Sequence, residues 1–121
     1  MPHQIRLAGP WEYSTDNGET WQRSKLPFHF SECGADACLL RRRFHRPTGL
    51  DADSIVSLQM TGQHLPTSLQ LNDQDTALTL REQEAETSNL TEQLLSFNEV
   101  CLTASAESET VLESAVIKIA D

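Results

Sequence analysis

Trp11, Tyr13 and Trp21 each combine a broad ring with a polar handle, and Asp16, Asn17 and Glu19 sit in the turn between them, which opens Ser14-Thr15-Asp16-Asn17-Gly18. A flat ring can stack on the C–H face of a pyranose while neighbouring carboxylates and amides bond its hydroxyls. Trp11, Tyr13, Trp21, Asp16 and Asn17 are therefore the candidate ligand-binding residues. Packing is the competing and favoured reading: at i, i+2, Trp11 and Tyr13 share one face of a strand, where large rings seal the end of a core.

Other chemistry is weakly signalled. His29, Cys33, Cys38 and His45 are ligand types that bind zinc, but the Cys-x4-Cys spacing is loose and His45 sits far along the next strand. No metal site is expected, and the three cysteines, an odd number, read as free thiols. Cys33 with Cys38 would close a small disulfide loop only in an oxidising compartment. No Ser lies in a Gly-x-Ser-x-Gly elbow, and His3, His29, His45 and His64 are scattered, so nucleophilic catalysis has no constellation to run on. The pairs Asp51/Asp53 and Asp73/Asp75 read as turn residues bonding nearby amides. No cofactor is expected; carboxylate-rich loops leave a structural calcium open, without a calcium-loop signature.

The elements that position these residues alternate with period two, interrupted by turn residues every eight to twelve positions. Leu40, Arg42 and Phe44 share one face of a strand and Leu39, Arg41 and Arg43 the other, until Arg46-Pro47-Thr48-Gly49 ends it. Val56, Leu58 and Met60 mark another strand, Leu69 and Leu71 a third, and Asn72-Asp73 turns the chain. Leu78 and Leu80 form a weaker strand, Val100, Leu102 and Ala104 a stronger one, and Ala115, Ile117 and Ile119 the closing one. Glu82 to Thr87 reads as a solvated acidic loop, and the stretch after it as one short helical turn carrying Leu90, Leu94 and Leu95, capped by Ser88 or Asn89. The pattern predicts a β-sandwich of about eight antiparallel strands in a single domain, residues 1–121.

The order of landmarks resembles the N-terminal sugar-binding domain of glycoside hydrolase family 2, a galactose-binding-like jelly roll. Leu7-Ala8-Gly9-Pro10-Trp11 is similar to the opening Leu-x-Gly-x-Trp of that domain. Trp21 with Leu26-Pro27 matches its Trp and Val-Pro turn, and Leu40-Arg41-Arg42-Arg43-Phe44 with Pro47 its Arg-Arg-x-Phe…Pro strand. Leu69-Gln70-Leu71-Asn72 resembles its hairpin, Asn89-Leu90-Thr91-Glu92-Gln93-Leu94-Leu95 its Asp-Ile-Thr-x-x-Leu turn, and Asn98-Glu99-Val100-Cys101-Leu102 its Asn-x-Leu-x-Val strand. The resemblance implies a jelly-roll sandwich without catalytic residues, since the family's catalytic carboxylates lie in a barrel domain. It departs where the family's Gly-rich aromatic loop is replaced by Asp73-Gln74-Asp75-Thr76 and the acidic stretch from Arg81 to Thr87.

Composition sets the outer limits. At 121 residues, 38% hydrophobic and 6% aromatic, the chain can build one two-layer core, removing about two-thirds of its unfolded surface from water. Residues 1 to 50 hold seven Lys or Arg against five Asp or Glu, residues 51 to 121 two against thirteen, and the net charge is −9. Such a chain repels nucleic acid, and strand alternation splits Arg41, Arg42, Arg43 and Arg46 before they can form a phosphate track. No stretch has the roughly 20 apolar residues of a membrane helix, and the opening MPHQIRLAGPW lacks the apolar run of a signal peptide, so a cytoplasmic location is expected. The Asn89-Leu90-Thr91 sequon then carries no weight. The expected function is a non-catalytic accessory or binding module, with carbohydrate as the ligand; the alternative is a protein-interaction module using the acidic face, with no sugar.

Overall fold

Period-two alternation makes one face of each long strand apolar, and two such faces close on each other. The computed structural model describes residues 3–34 and 37–120. Among them run twelve strands: β1 (His3–Arg6), β2 (Trp11–Ser14), β3 (Gln22–Ser24), β4 (Phe28–His29), β5 (Cys38–His45), β6 (Ile55–Gln63), β7 (Ser68–Leu71), β8 (Gln74–Ala77), β9 (Thr79–Arg81), β10 (Glu84–Glu86), β11 (Phe97–Ala104) and β12 (Val111–Ala120). One sheet has the order β1-β12-β6-β10-β9, with β4 also on β12; the other has β3-β2-β5-β11-β7-β8. From β5 onward the chain passes repeatedly from one sheet to the other, in jelly-roll fashion. Val56, Leu58 and Met60 of β6 and Ala115, Ile117 and Ile119 of β12 meet Leu40 of β5, Leu71 of β7 and Val100 and Leu102 of β11 in one buried cluster.

The all-β sandwich is the expected one, and the strand count exceeds the expected eight because short hairpin arms carry too few apolar residues to register. The acidic stretch is the clearest case: instead of a solvated loop, Glu84–Glu86 is β10, pairing with β6 and β9 and burying Ala85 between two glutamates that face out. Thr87 follows, its hydroxyl buried and accepting from the N–H of Leu58 at 2.9 Å. Leu78 and Leu80 do not share one strand: buried Leu78 joins β8 to β9, while Leu80 is exposed.

Several turns follow the sequence closely. Asn72 and Asp73 take positive φ between β7 and β8, the backbone a two-residue hairpin requires. Thr91–Gln93 forms one 3-10 turn; Asn89 accepts from the Thr91 N–H at 3.1 Å, and Leu90 and Leu94 are buried beside it. Asp51 accepts from the Asp53 N–H at 2.9 Å, as a turn residue should, whereas Asp75 lies in β8 and not in a turn. Among the described residues no helix is long and apolar enough to cross a membrane.

Candidate functional site

The Ser14–Trp21 turn is built by its own side chains. Ser14 is buried; its hydroxyl donates to the Asp16 carboxylate at 2.7 Å and accepts from the Gly18 N–H at 2.9 Å. Asp16 also accepts from the Thr20 N–H at 2.9 Å and from the Thr20 hydroxyl. Asn17 and Gly18 both have positive φ, at 62° and 89°, so the tight reversal falls on residue types that tolerate it. The Thr20 hydroxyl, then the Thr20 N–H, then the Ser14 hydroxyl hold the Asp16 carboxyl at about 2, below its ordinary 3.8. Because the folded value is depressed, the turn's stabilisation by Asp16 is complete above the ordinary value and disappears as pH falls through about 2. Carboxyl-carbon NMR is expected to show Asp16 titrating near 2 and to move that midpoint upward in Thr20→Val; an Asp16 midpoint at the ordinary value in the wild type would mean that the turn is not closed this way.

The three rings separate. Trp11 is fully buried, at 0% exposure, with its indole N–H donating to the Leu7 carbonyl at 2.9 Å. It is a core residue and not a stacking platform; packing wins because the i, i+2 face of β2 points between the sheets. Tyr13 is half-buried, packs on Phe28 with ring centroids 5.4 Å apart, and donates its hydroxyl to Gln22 at 2.8 Å. It borders a shallow depression of about 190 Å³ with His29, Glu32 and Cys33. Trp21 is half-buried; its N–H donates to the Gly18 carbonyl at 3.0 Å, and the Arg41 guanidinium carbon lies 3.8 Å from its ring centroid. The cation occupies one face of the ring, which a sugar stacked on that face would have to displace. Asp16 and Asn17 are exposed beside it, Asp16 already engaged by Ser14 and Thr20.

Strand register assembles a charged band that sequence alone did not reveal. Residues paired across antiparallel strands share a face. Arg23 of β3, Glu12 of β2, Arg41 of β5, Cys101 of β11, Gln70 of β7 and Asp75 of β8 therefore form one row across the outer surface of the second sheet. Arg41, stacked on Trp21, is only 13% exposed and pairs with Glu12 at 3.0 Å and Glu99 at 3.9 Å, while Arg43 reaches Glu99 at 3.4 Å. The expected split of the arginine cluster holds, since Arg42 points the other way and donates to the Ala8 carbonyl at 2.6 Å. The signal for this band is pairing register, which no local window contains.

Cys33 and Cys38 are paired as a disulfide, which corrects the expectation of independent thiols. The 3-10 turn Phe30–Cys33 brings Cys33 up to the first residue of β5, a proximity created by the fold; Ala35 and Asp36 between them lie outside the described residues. Cys101 carries a free thiol, which burial first and then the Glu99 charge push up to about 11, so it stays protonated and a poor nucleophile at neutral pH. Among the described residues no group of three or more His, Cys, Asp or Glu is arranged to hold a metal ion.

No protein-family model matches the chain, and no curated protein matches it. Solved structures do. The chain is similar to an FMN-binding β-glucuronidase from Facaelibacterium prausnitzii L2-6, with a TM-score of 0.75 over 98% of this chain and 22% of that one, at 16% identity. A β-D-glucuronidase of Dictyoglomus thermophilum aligns with a TM-score of 0.74 over 98% of this chain and 28% of that one, at 11% identity. The β-D-mannosidase of the same organism gives 0.66 over 86% and 16%, at 18% identity. The chain thus spans less than a third of the length of the enzymes it matches. In architecture it is a sandwich domain of the kind carried by glycoside hydrolase family 2 enzymes, the same group that its sequence landmarks resemble.

Proposed function

We propose that this chain is a non-catalytic accessory module of glycosidase type that works by associating with protein rather than by stacking on sugar. One observation carries the reading: both tryptophans are already engaged, Trp11 inside the core and Trp21 with one ring face against the Arg41 guanidinium. A pyranose needs an open ring face, and clearing the face of Trp21 that Arg41 covers would require moving Arg41 away from two carboxylates. The likeness of the chain to a fraction of each glycosidase supports an accessory part in a larger assembly.

A second reading has its own support. Tyr13, His29 and Glu32 border the depression beside β4 and offer one ring and two polar groups to a sugar. Titration calorimetry with galactose, mannose and glucuronate, alongside turnover assays on the nitrophenyl β-glycosides of the same sugars, separates the two. The expected result is no saturable heat and no turnover above buffer. Saturable sugar binding that is lost in Tyr13→Ala would replace the association reading with the second one, and saturable turnover would remove the non-catalytic assignment.

A further inference from the structure

We propose that an extended segment of a protein partner, alternating apolar side chains with carboxylates, adds as a strand to the open edge of β1 and seats its apolar side chains in the cleft beside it. This rests on the association reading above and supplies its surface.

The edge comes first. β1 is the end strand of its sheet, and all four of its residues are exposed. The Leu7 N–H donates inward to the Ala115 carbonyl at 2.9 Å. Backbone groups alternate in direction along an antiparallel strand, so Gln4 and Arg6 turn their N–H and C=O outward, away from β12. Such a row is a template for strand addition.

Below this edge lies a cleft of about 340 Å³ between the sheets, with Ile5, Phe44, Pro47 and Phe97 among its apolar walls. Ile5 is 42% exposed and Phe97 51%, and among the exposed large hydrophobic side chains these two meet at one cleft. The charges around the cleft are Arg6, Arg42 and Arg43, with His45, and no Asp or Glu lines it. In a protein of net charge −9 this is an inversion of the prevailing sign. Arg42 sits on the core side of β5 between buried Leu40 and Phe44, bonded to the Ala8 and Arg43 carbonyls, and among the described residues it has no carboxylate partner. Burial lowers its pKa without discharging it, so an arriving carboxylate would meet a partly desolvated cation.

Several carboxylates elsewhere on the surface are already engaged within the chain. Glu86 is held by Ser57 at 3.1 Å and Lys118 at 3.6 Å, Glu84 by Gln59 at 3.2 Å, and Glu12 and Glu99 by the arginines of β5. An open-sided cleft also suits an extended chain better than a small molecule, which a pocket must largely enclose.

The test is fluorescence anisotropy of the whole chain with a labelled peptide, acetyl-Glu-Val-Glu-Leu-Glu-Val-Glu, against a version with Lys for every Glu and one with Ser for every apolar residue. Saturable binding of the first peptide is expected, about tenfold weaker for each of the other two. Phe97→Ser and Gln4→Pro should each weaken it about tenfold, the first by removing the apolar wall and the second by removing an outward N–H. Both positions are exposed and both variants should keep the wild-type melting curve. Arg42→Gln should weaken the first peptide similarly, but it also touches Ala8 and is read only alongside the other two. No saturable binding, equal binding of the Ser or Lys peptide, or indifference to Phe97→Ser and Gln4→Pro overturns the assignment of this surface. Sugar binding in the calorimetry above would overturn the association reading by itself, so the two failures are distinguishable.

Discussion

Trp11→Ala is expected to lower the unfolding free energy by about 3 to 5 kcal/mol, the range for deleting a large aromatic side chain from a packed interior. The side chain is wholly buried, and its indole N–H satisfies the Leu7 carbonyl at 2.9 Å across the link between β1 and β2. Removing it empties volume and leaves that carbonyl without its partner. For a domain whose total stability is about 5 to 15 kcal/mol, the loss should leave a large unfolded fraction or a steeply lowered urea midpoint. Trp11→Phe restores most of the volume but not the donor, and should cost about 1 to 3 kcal/mol. Urea denaturation followed by circular dichroism measures both. A Trp11→Ala midpoint equal to the wild type would mean that the ring lies at the surface, and would reopen the stacking reading for this residue.

The fold was legible because burial and sequence share one period. Leu58, Leu71 and Ile117 each lie on the inner face that their alternation assigns, and Arg42 falls on the opposite face from Arg41 and Arg43. The family landmarks also turn out to be structural. Asn72 donates to the Asn98 side-chain oxygen at 3.0 Å and accepts from the Glu99 N–H at 2.9 Å, while Asn98 bonds both the N–H and the carbonyl of Leu95. Two landmark asparagines thus tie a hairpin, a turn and a strand start together, which explains why their order tracks the fold. They carry no news of a ligand.

The candidate site was far less legible. Arg41 over Trp21, the row from Arg23 to Asp75, and the meeting of Ile5 with Phe97 at one cleft all depend on which strands pair and in what register. Those pairings span tens of residues, beyond the reach of any local pattern. β10 is illegible for another reason: a three-residue arm burying one alanine between glutamates has the composition of a loop. Cysteine parity and the want of a signal for an oxidising compartment both point to free thiols, and neither takes account of a 3-10 turn placing Cys33 at the start of β5.

Gly62→Ala is expected to cost about 3 kcal/mol, at the upper end of what overfilling a packed site costs. Gly62 lies in β6 opposite Leu112 of β12, where the register shifts between Leu112 and Ser114. A Cβ added here would fall 1.9 Å from the Val111 carbonyl oxygen and 3.2 Å from the Leu112 Cα. Both obstacles are backbone, so no side chain can swing aside; the strands themselves must part. The Gly62 N–H is also committed, to the Gln83 carbonyl at 2.9 Å, which ties the end of the β9–β10 hairpin to the same point. Separation would loosen the longest pairing in its sheet, and with it the register that sets Ile117 opposite Leu58 on one side and Ile5 on the other. The cleft beside β1 would lose definition along with the global fold. Gln63→Ala, an exposed neighbour, should shift stability by no more than about 0.5 kcal/mol and serves as the control. If Gly62→Ala melts in urea at the same midpoint as Gln63→Ala, β6 and β12 do not approach as closely as the bulge requires, and the register that carries Ile5 to the cleft would have to be redrawn.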